Sequence, residues 1–148
     1  MNWKVIKDEN DIKYLMDFFD EFHDSCIKEI KYISGAYVGD NRGMCPFNEI
    51  ADLSIIFQTQ FKGVPTIEIV FKKIDKFNLR PENAENYTCE LFGASLEKIG
   101  DFYFWANEPG GFDPEDYSDE VTWVSAKEVQ WRTLDNALGE EEIYCTKV

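Results

Sequence analysis

The chain has 148 residues, 44% apolar and 16% aromatic, with a formal net charge of −14. That length predicts one domain over 1–148, large enough to bury a core without a metal or disulfide staple. The aromatic content excludes a disordered chain and favours sheet over helix, and the acidity excludes nucleic acid and anionic lipid as partners.

The first ten residues, Met-Asn-Trp-Lys-Val-Ile-Lys-Asp-Glu-Asn, hold no apolar run of signal-peptide length. No stretch approaches the roughly 20 apolar residues of a membrane span, so the expectation is a cytoplasmic protein. A helix is predicted over 10–22, with Asn10 or Asp8 as N-cap and Asp11 placed well for the helix dipole. Ile12, Leu15, Met16, Phe19 and Phe22 recur at helical spacing, widened by Tyr14 and Phe18. His23 then falls at the helix C-terminus, where a partly positive ring is favoured.

From residue 26 the period becomes two. Over 26–38 one parity carries Cys26, Ile30, Tyr32, Ala36 and Val38, and Gly35 marks a bulge or close approach. Over 51–61 Ala51, Leu53, Ile55, Phe57 and Phe61 alternate with Asp52, Ser54, Gln58 and Gln60. A turn at Lys62-Gly63-Val64-Pro65 leads into Ile67, Ile69 and Phe71, and the two runs predict a β-hairpin. Further strands are predicted at 75–80, 87–96, 101–106 and 120–133, with Val121, Trp123, Val129 and Trp131 on one parity, and a short one at 142–146. Alternating rather than continuously apolar strands indicate an antiparallel sheet. The class is mainly β, or α+β, with an N-terminal helix packed on a sandwich or bent half-barrel.

The four cysteines, Cys26, Cys45, Cys89 and Cys145, form no C-x-x-C pair and read as reduced, mostly buried thiols rather than zinc ligands. Two segments invite a chemical reading. In Phe22-His23-Asp24-Ser25-Cys26 the only histidine meets an acid and a hydroxyl. Consecutive side chains point in different directions, so they do not converge as a triad requires. No G-x-S-x-G elbow occurs either. His23, Asp24 and Ser25 therefore read as the structural junction between helix and sheet.

The second segment is 107–120. Between Lys98 and Lys127 there is no basic residue, while seven acids fall there. Glu108, Asp113, Glu115, Asp116, Asp119 and Glu120 are interleaved with Phe112 and Tyr117 and flanked by Trp105 and Trp123. Carboxylates could hold Ca²⁺, but the order of an EF-hand loop is missing, and a solvated loop is the commoner explanation. Aromatics within a charged rim are what protein interfaces present. Trp105, Glu108, Phe112, Asp113, Glu115, Asp116, Tyr117, Asp119 and Glu120 are thus the candidate partner-binding residues, with no metal, cofactor or catalytic group assigned.

The segments Phe22-His23-Asp24-Ser25-Cys26-Ile27 and Ser34-Gly35-Ala36-Tyr37-Val38 resemble the signature of a family of short, uncharacterised bacterial proteins. The resemblance runs from Trp3 to Trp105 and implies no catalytic residue. The Trp near the start, the helix and the Phe-His-Asp entry into a β-rich body are also similar to immunity proteins of bacterial toxin systems. That similarity implies a small, acidic, cytoplasmic protein that binds and blocks a toxin, and the charge pattern leads to the expectation of a non-enzymatic binding protein with a basic protein partner. The alternative expectation is a ligand-binding protein or hydrolase with His23 on an aromatic-lined cleft.

Overall fold

The computed structural model describes residues 2–47, 49–81, 89–111, 113, 115 and 119–145. Strand β1 (Lys4–Val5) precedes helix α1 (Glu9–Phe18), the one α-helix among the described residues. Asp8 is the N-cap: its Oδ1 accepts from the Asp11 amide at 3.0 Å, and Asp11 Oδ2 accepts from the Lys7 amide at 2.8 Å. The first contact satisfies an orphan donor of the first turn, and the second ties the residue before the cap to it.

The helix is shorter than its apolar period. It ends at Phe18, and a 3₁₀ turn, Asp20–Phe22, follows. Asp20, Glu21 and Phe22 have φ of 48°, 52° and 64°, and Asp24 has 55°. A left-handed backbone opposes L side chains by roughly 1–2 kcal/mol per residue. The compensation is Phe22, which is fully buried and touches Phe19, Phe57 and Trp105 with centroids 5.1, 4.9 and 5.8 Å away. The kinked turn thus still delivers this ring to the core.

The sheet follows in antiparallel pairs: β2 (Ser25–Ile33), β5 (Asp52–Thr59), β6 (Thr66–Asn78), β7 (Glu90–Leu91), β8 (Ser95–Ile99), β9 (Phe102–Ala106) and β10 (Trp123–Leu134). Their order is β7-β2-β5-β6-β10-β9-β8, with β1 pairing outside this path on β10. The sheet bends into a half-barrel. Its two edges, β7 and β8, are joined by only Phe92–Ala94, so one short connection spans the open side.

Bulges explain where simple alternation misplaces residues. In β2 the register slips by one between Ile27 and Glu29, which puts both Ile27 and Ile30 on the core side. In β6 and β10 the phase flips together. Phe71 and Ile74 face the core, as do their partners Val129 and Ala126, while Lys73 has φ 54° and reaches Glu128 at 2.9 Å outside. Trp123 therefore does not share a face with Val129 and Trp131. It packs with Phe104 and Ala106 in a second, smaller cluster. Residues 75–78 continue β6 rather than begin a new strand, and the described part of 142–146 is not a strand.

Inside the half-barrel, Leu53, Ile55, Phe57, Ile67, Ile69, Phe71, Trp105 and Trp131 meet Ile12, Leu15 and Phe19 of the helical segment. Each large side chain contributes roughly 1.5–3 kcal/mol by leaving water. The outer face is covered differently. Ile56 and Val70 are buried there, apart from the main cluster, under a strap formed by residues 137–145. Glu29 accepts from the Ile143 and Tyr144 amides at 2.6 and 3.0 Å. Gln58 Nε2 and Thr66 Oγ1 donate to the Ala137 carbonyl. Beneath the strap, buried Glu68 holds Arg132 Nη2 and Nε at 2.8 Å. No helix among the described residues is long and apolar enough to cross a membrane.

Candidate functional site

The junction residues come from the left-handed turn and the first position of β2. His23 is extended, five residues past the end of α1 rather than on its last turn. Its ring is half-exposed, with Nδ1 at 3.1 Å from Asp24 Oδ2. Ser25 turns the other way: its buried hydroxyl donates to the Phe22 carbonyl at 2.5 Å. Asp24 gives its amide to the Leu91 carbonyl and accepts from the Gln60 amide. The backbone thus ties the turn to β7 and to the end of β5. The hydroxyl points into the fold and the imidazole away from it, so the three side chains do not make a nucleophile–base–acid relay.

The acidic segment begins where β9 ends and returns at β10. Its base is closed by Asn107 N–H to the Thr122 carbonyl at 2.9 Å, by Asn78 Nδ2 to the Val121 carbonyl at 2.8 Å, and by Arg80 N–H to Thr122 Oγ1 at 2.9 Å. Pro109 and Gly111 lie against Gly93 and the Glu97 carboxylate. Glu108, Asp113, Glu115, Asp119 and Glu120 are exposed. Phe112, Asp116 and Tyr117 lie outside the described residues.

Trp105 does not belong to this surface. Its relative exposure is 0%, and it sits between Phe22 and Phe57 in the core, with Nε1 buried and unpartnered among the described residues. A strand of alternating aromatics has two faces, and β9 turns Tyr103 and Trp105 inward. Among the described residues, no group of three or more His, Cys, Asp or Glu side chains is placed to hold a metal ion.

The strand expected over 26–38 is broken: β2 stops at Ile33, and Val38 belongs to a separate feature. Between β2 and β5 the chain leaves the main sheet as an arm, in which β3 (Tyr37–Val38) pairs with β4 (Met44–Cys45) in a separate two-stranded sheet. Gly35 anchors its root at φ 91°, where an added Cβ would meet the Ile50 amide at 3.1 Å, a close approach that glycine permits. The arm's large side chains face solvent: Tyr37 is 64% exposed, Met44 66% and Phe47 76%. Tyr32, Ile33, Val38 and Ile50 add to the same region. Two-stranded hairpins are marginal by themselves, and contiguous exposed apolar residues mark interaction sites.

Arm and acidic loop stand at one end of the sheet. The Ile74 amide donates to the Ala51 carbonyl at the arm root, and Asn78 holds the loop base. These two residues of β6 are roughly 13 Å apart along the strand. Comparison with family models, with curated proteins and with solved structures returned no match.

Proposed function

We propose that this protein is a non-enzymatic binding protein that engages a basic protein partner through the arm and the acidic loop, as an immunity protein engages a toxin. The observation that carries this reading is the arm: a hairpin whose Tyr37, Met44 and Phe47 are spent on solvent rather than on the core. The net charge of −14 supplies the complementary field. Such a field steers a cationic partner and is screened by salt, whereas apolar anchors set the lifetime of the complex. The reading places the protein in the cytoplasm, with which four free thiols are compatible.

The test is capture from an extract of the native cells at low and at physiological salt, followed by titration of the purified partner. The expected partner is basic. Tyr37→Ala with Phe47→Ala should weaken it about 30-fold or more, the level of a hot spot. Glu108→Lys with Glu115→Lys should chiefly slow association and flatten its salt dependence. A captured protein that is not basic, or that binds both variants as well as the wild type, refutes the proposal.

The hydrolase reading has less support. Its hydroxyl neighbour, Ser25, is committed to the Phe22 carbonyl.

A further inference from the structure

At the opposite end of β5 from the arm, Asp24, Cys26, Gln58, Gln60, Cys89 and Glu90 line a groove of about 310 Å³. Two thiols share it, and the strand register explains why. Cys26 of β2 stands opposite Glu90 of β7, so Cys89 is the next residue along the antiparallel partner. One step off register corresponds to roughly 6 Å between Cα atoms, inside the usual disulfide range of about 4.4–6.8 Å. Strict alternation would send the two side chains to opposite sides. Cys89, however, lies in the bend before β7, outside the strand, and this frees it to face the groove beside Cys26.

We propose that Cys26 and Cys89 are a redox-active thiol pair that closes to an intramolecular disulfide when the protein meets hydrogen peroxide. The exposures divide the roles. Cys89 is exposed and Cys26 half-buried. The Cys26 thiol is pushed up chiefly by burial, with a smaller contribution in the same direction from the charge of Cys89. Cys89 is therefore the sulfur that peroxide reaches, and Cys26 the one that resolves. The Cys89 thiolate attacks one peroxide oxygen, the O–O bond breaks, and Cys89 becomes a sulfenic acid as hydroxide leaves and takes up the proton that the Cys89 thiol had released, giving the first water. The Cys26 sulfur then attacks Cys89 Sγ, the S–O bond breaks, and the departing hydroxide takes the Cys26 proton as a second water. Two thiols lose two electrons and two protons, and one peroxide becomes two waters. The bond would pin the two-residue edge strand β7 to β2.

The experiment uses the reduced full chain treated with one equivalent of hydrogen peroxide. Free thiols are titrated after denaturation, and disulfides are mapped by non-reducing peptide mass spectrometry. The expected result is loss of two of the four thiols, a single peptide pair joining Cys26 to Cys89, and a chain that remains monomeric on a non-reducing gel. Cys26→Ser should lose the bond and leave a Cys89 sulfenic acid that dimedone traps, while Cys45→Ser and Cys145→Ser should behave as the wild type. Bonds through Cys45 or Cys145, linkage between chains, or retention of all four thiols would overturn the proposal. Equal trapping of Cys89 by dimedone in the wild type and in Cys26→Ser would overturn it too, because the resolving role would be lost.

Discussion

Replacing Glu21 by glycine should stabilise the protein. Glu21 has φ 52° and ψ 26°, in the left-handed region, and its side chain is exposed. Relief of the left-handed backbone is worth roughly 1–2 kcal/mol. Glycine's extra freedom in the unfolded chain takes back roughly 0.5–1 kcal/mol. The one contact that matters, the Glu21 carbonyl accepting from the Ala94 amide at 2.9 Å, belongs to the backbone and survives. The net expectation is a gain of about 0.5–1 kcal/mol, which for a chain of this size is a rise in Tm of about 1–4 °C. Urea and thermal unfolding followed by tryptophan fluorescence would measure it. Lys13→Gly, inside α1, is the control and should lose about 1 kcal/mol. If Glu21→Gly is destabilised as much as the control, the segment is helical and the strained-turn argument is wrong.

Ser25→Ala should lose about 1 kcal/mol in urea unfolding, because it removes a buried donor from the Phe22 carbonyl, while His23→Ala should stay within about 0.5 kcal/mol. The reverse order would show that the imidazole and not the hydroxyl secures the junction. Glu29→Ala should release the strap, at about 1.5–3 kcal/mol for two amide contacts to a carboxylate, and should expose Tyr144 to chymotrypsin. Unchanged cleavage would mean that the strap is held elsewhere. Lys73 lowers the Glu128 carboxyl below its ordinary value through a hydrogen bond and charge. A lowered folded value gives stability that is present above the unfolded value and is lost as pH falls through the folded one. Glu128→Gln should therefore trail the wild type slightly at neutral pH and match it in acid, and a difference that grows in acid would contradict the assignment.

The parts of the fold legible in the sequence are those where one physical rule acts alone. Leu53, Ile55 and Phe57 alternate into the core, Asp8 is one of the two caps the sequence offers for α1, and Gly35 meets the close approach that was one of its two readings. The end of α1 was not legible, because Phe19 and Phe22 stay buried whether the backbone is helical or kinked. Periodicity reports which side chains reach the core and not the path that brings them there. The bulge in β2 and the shared bend of β6 and β10 change phase without a glycine or proline to signal it. Of the candidate site, the exposed acids were readable from charge alone. Trp105 was not, since an aromatic beside an acidic loop has the same composition whether it faces in or out. The arm was only half legible: Val38 keeps the period of the 26–38 run, and that alternation does not mark the departure after Ile33 into a separate hairpin.

The connection Phe92–Ala94 gives the two edges of the sheet a shared fate. In an open sheet each outer strand can fray alone, at a cost well below global unfolding. Here β7 and β8 are tethered to one another, and the Leu91 carbonyl and the Ala94 amide are both held by the turn that carries Phe22. Detaching either edge loosens the other and withdraws the aromatic plug between them. Amide exchange at the two margins should therefore proceed through a single opening event. The sheet behaves less like a ribbon with loose ends than like a cuff fastened by one clasp.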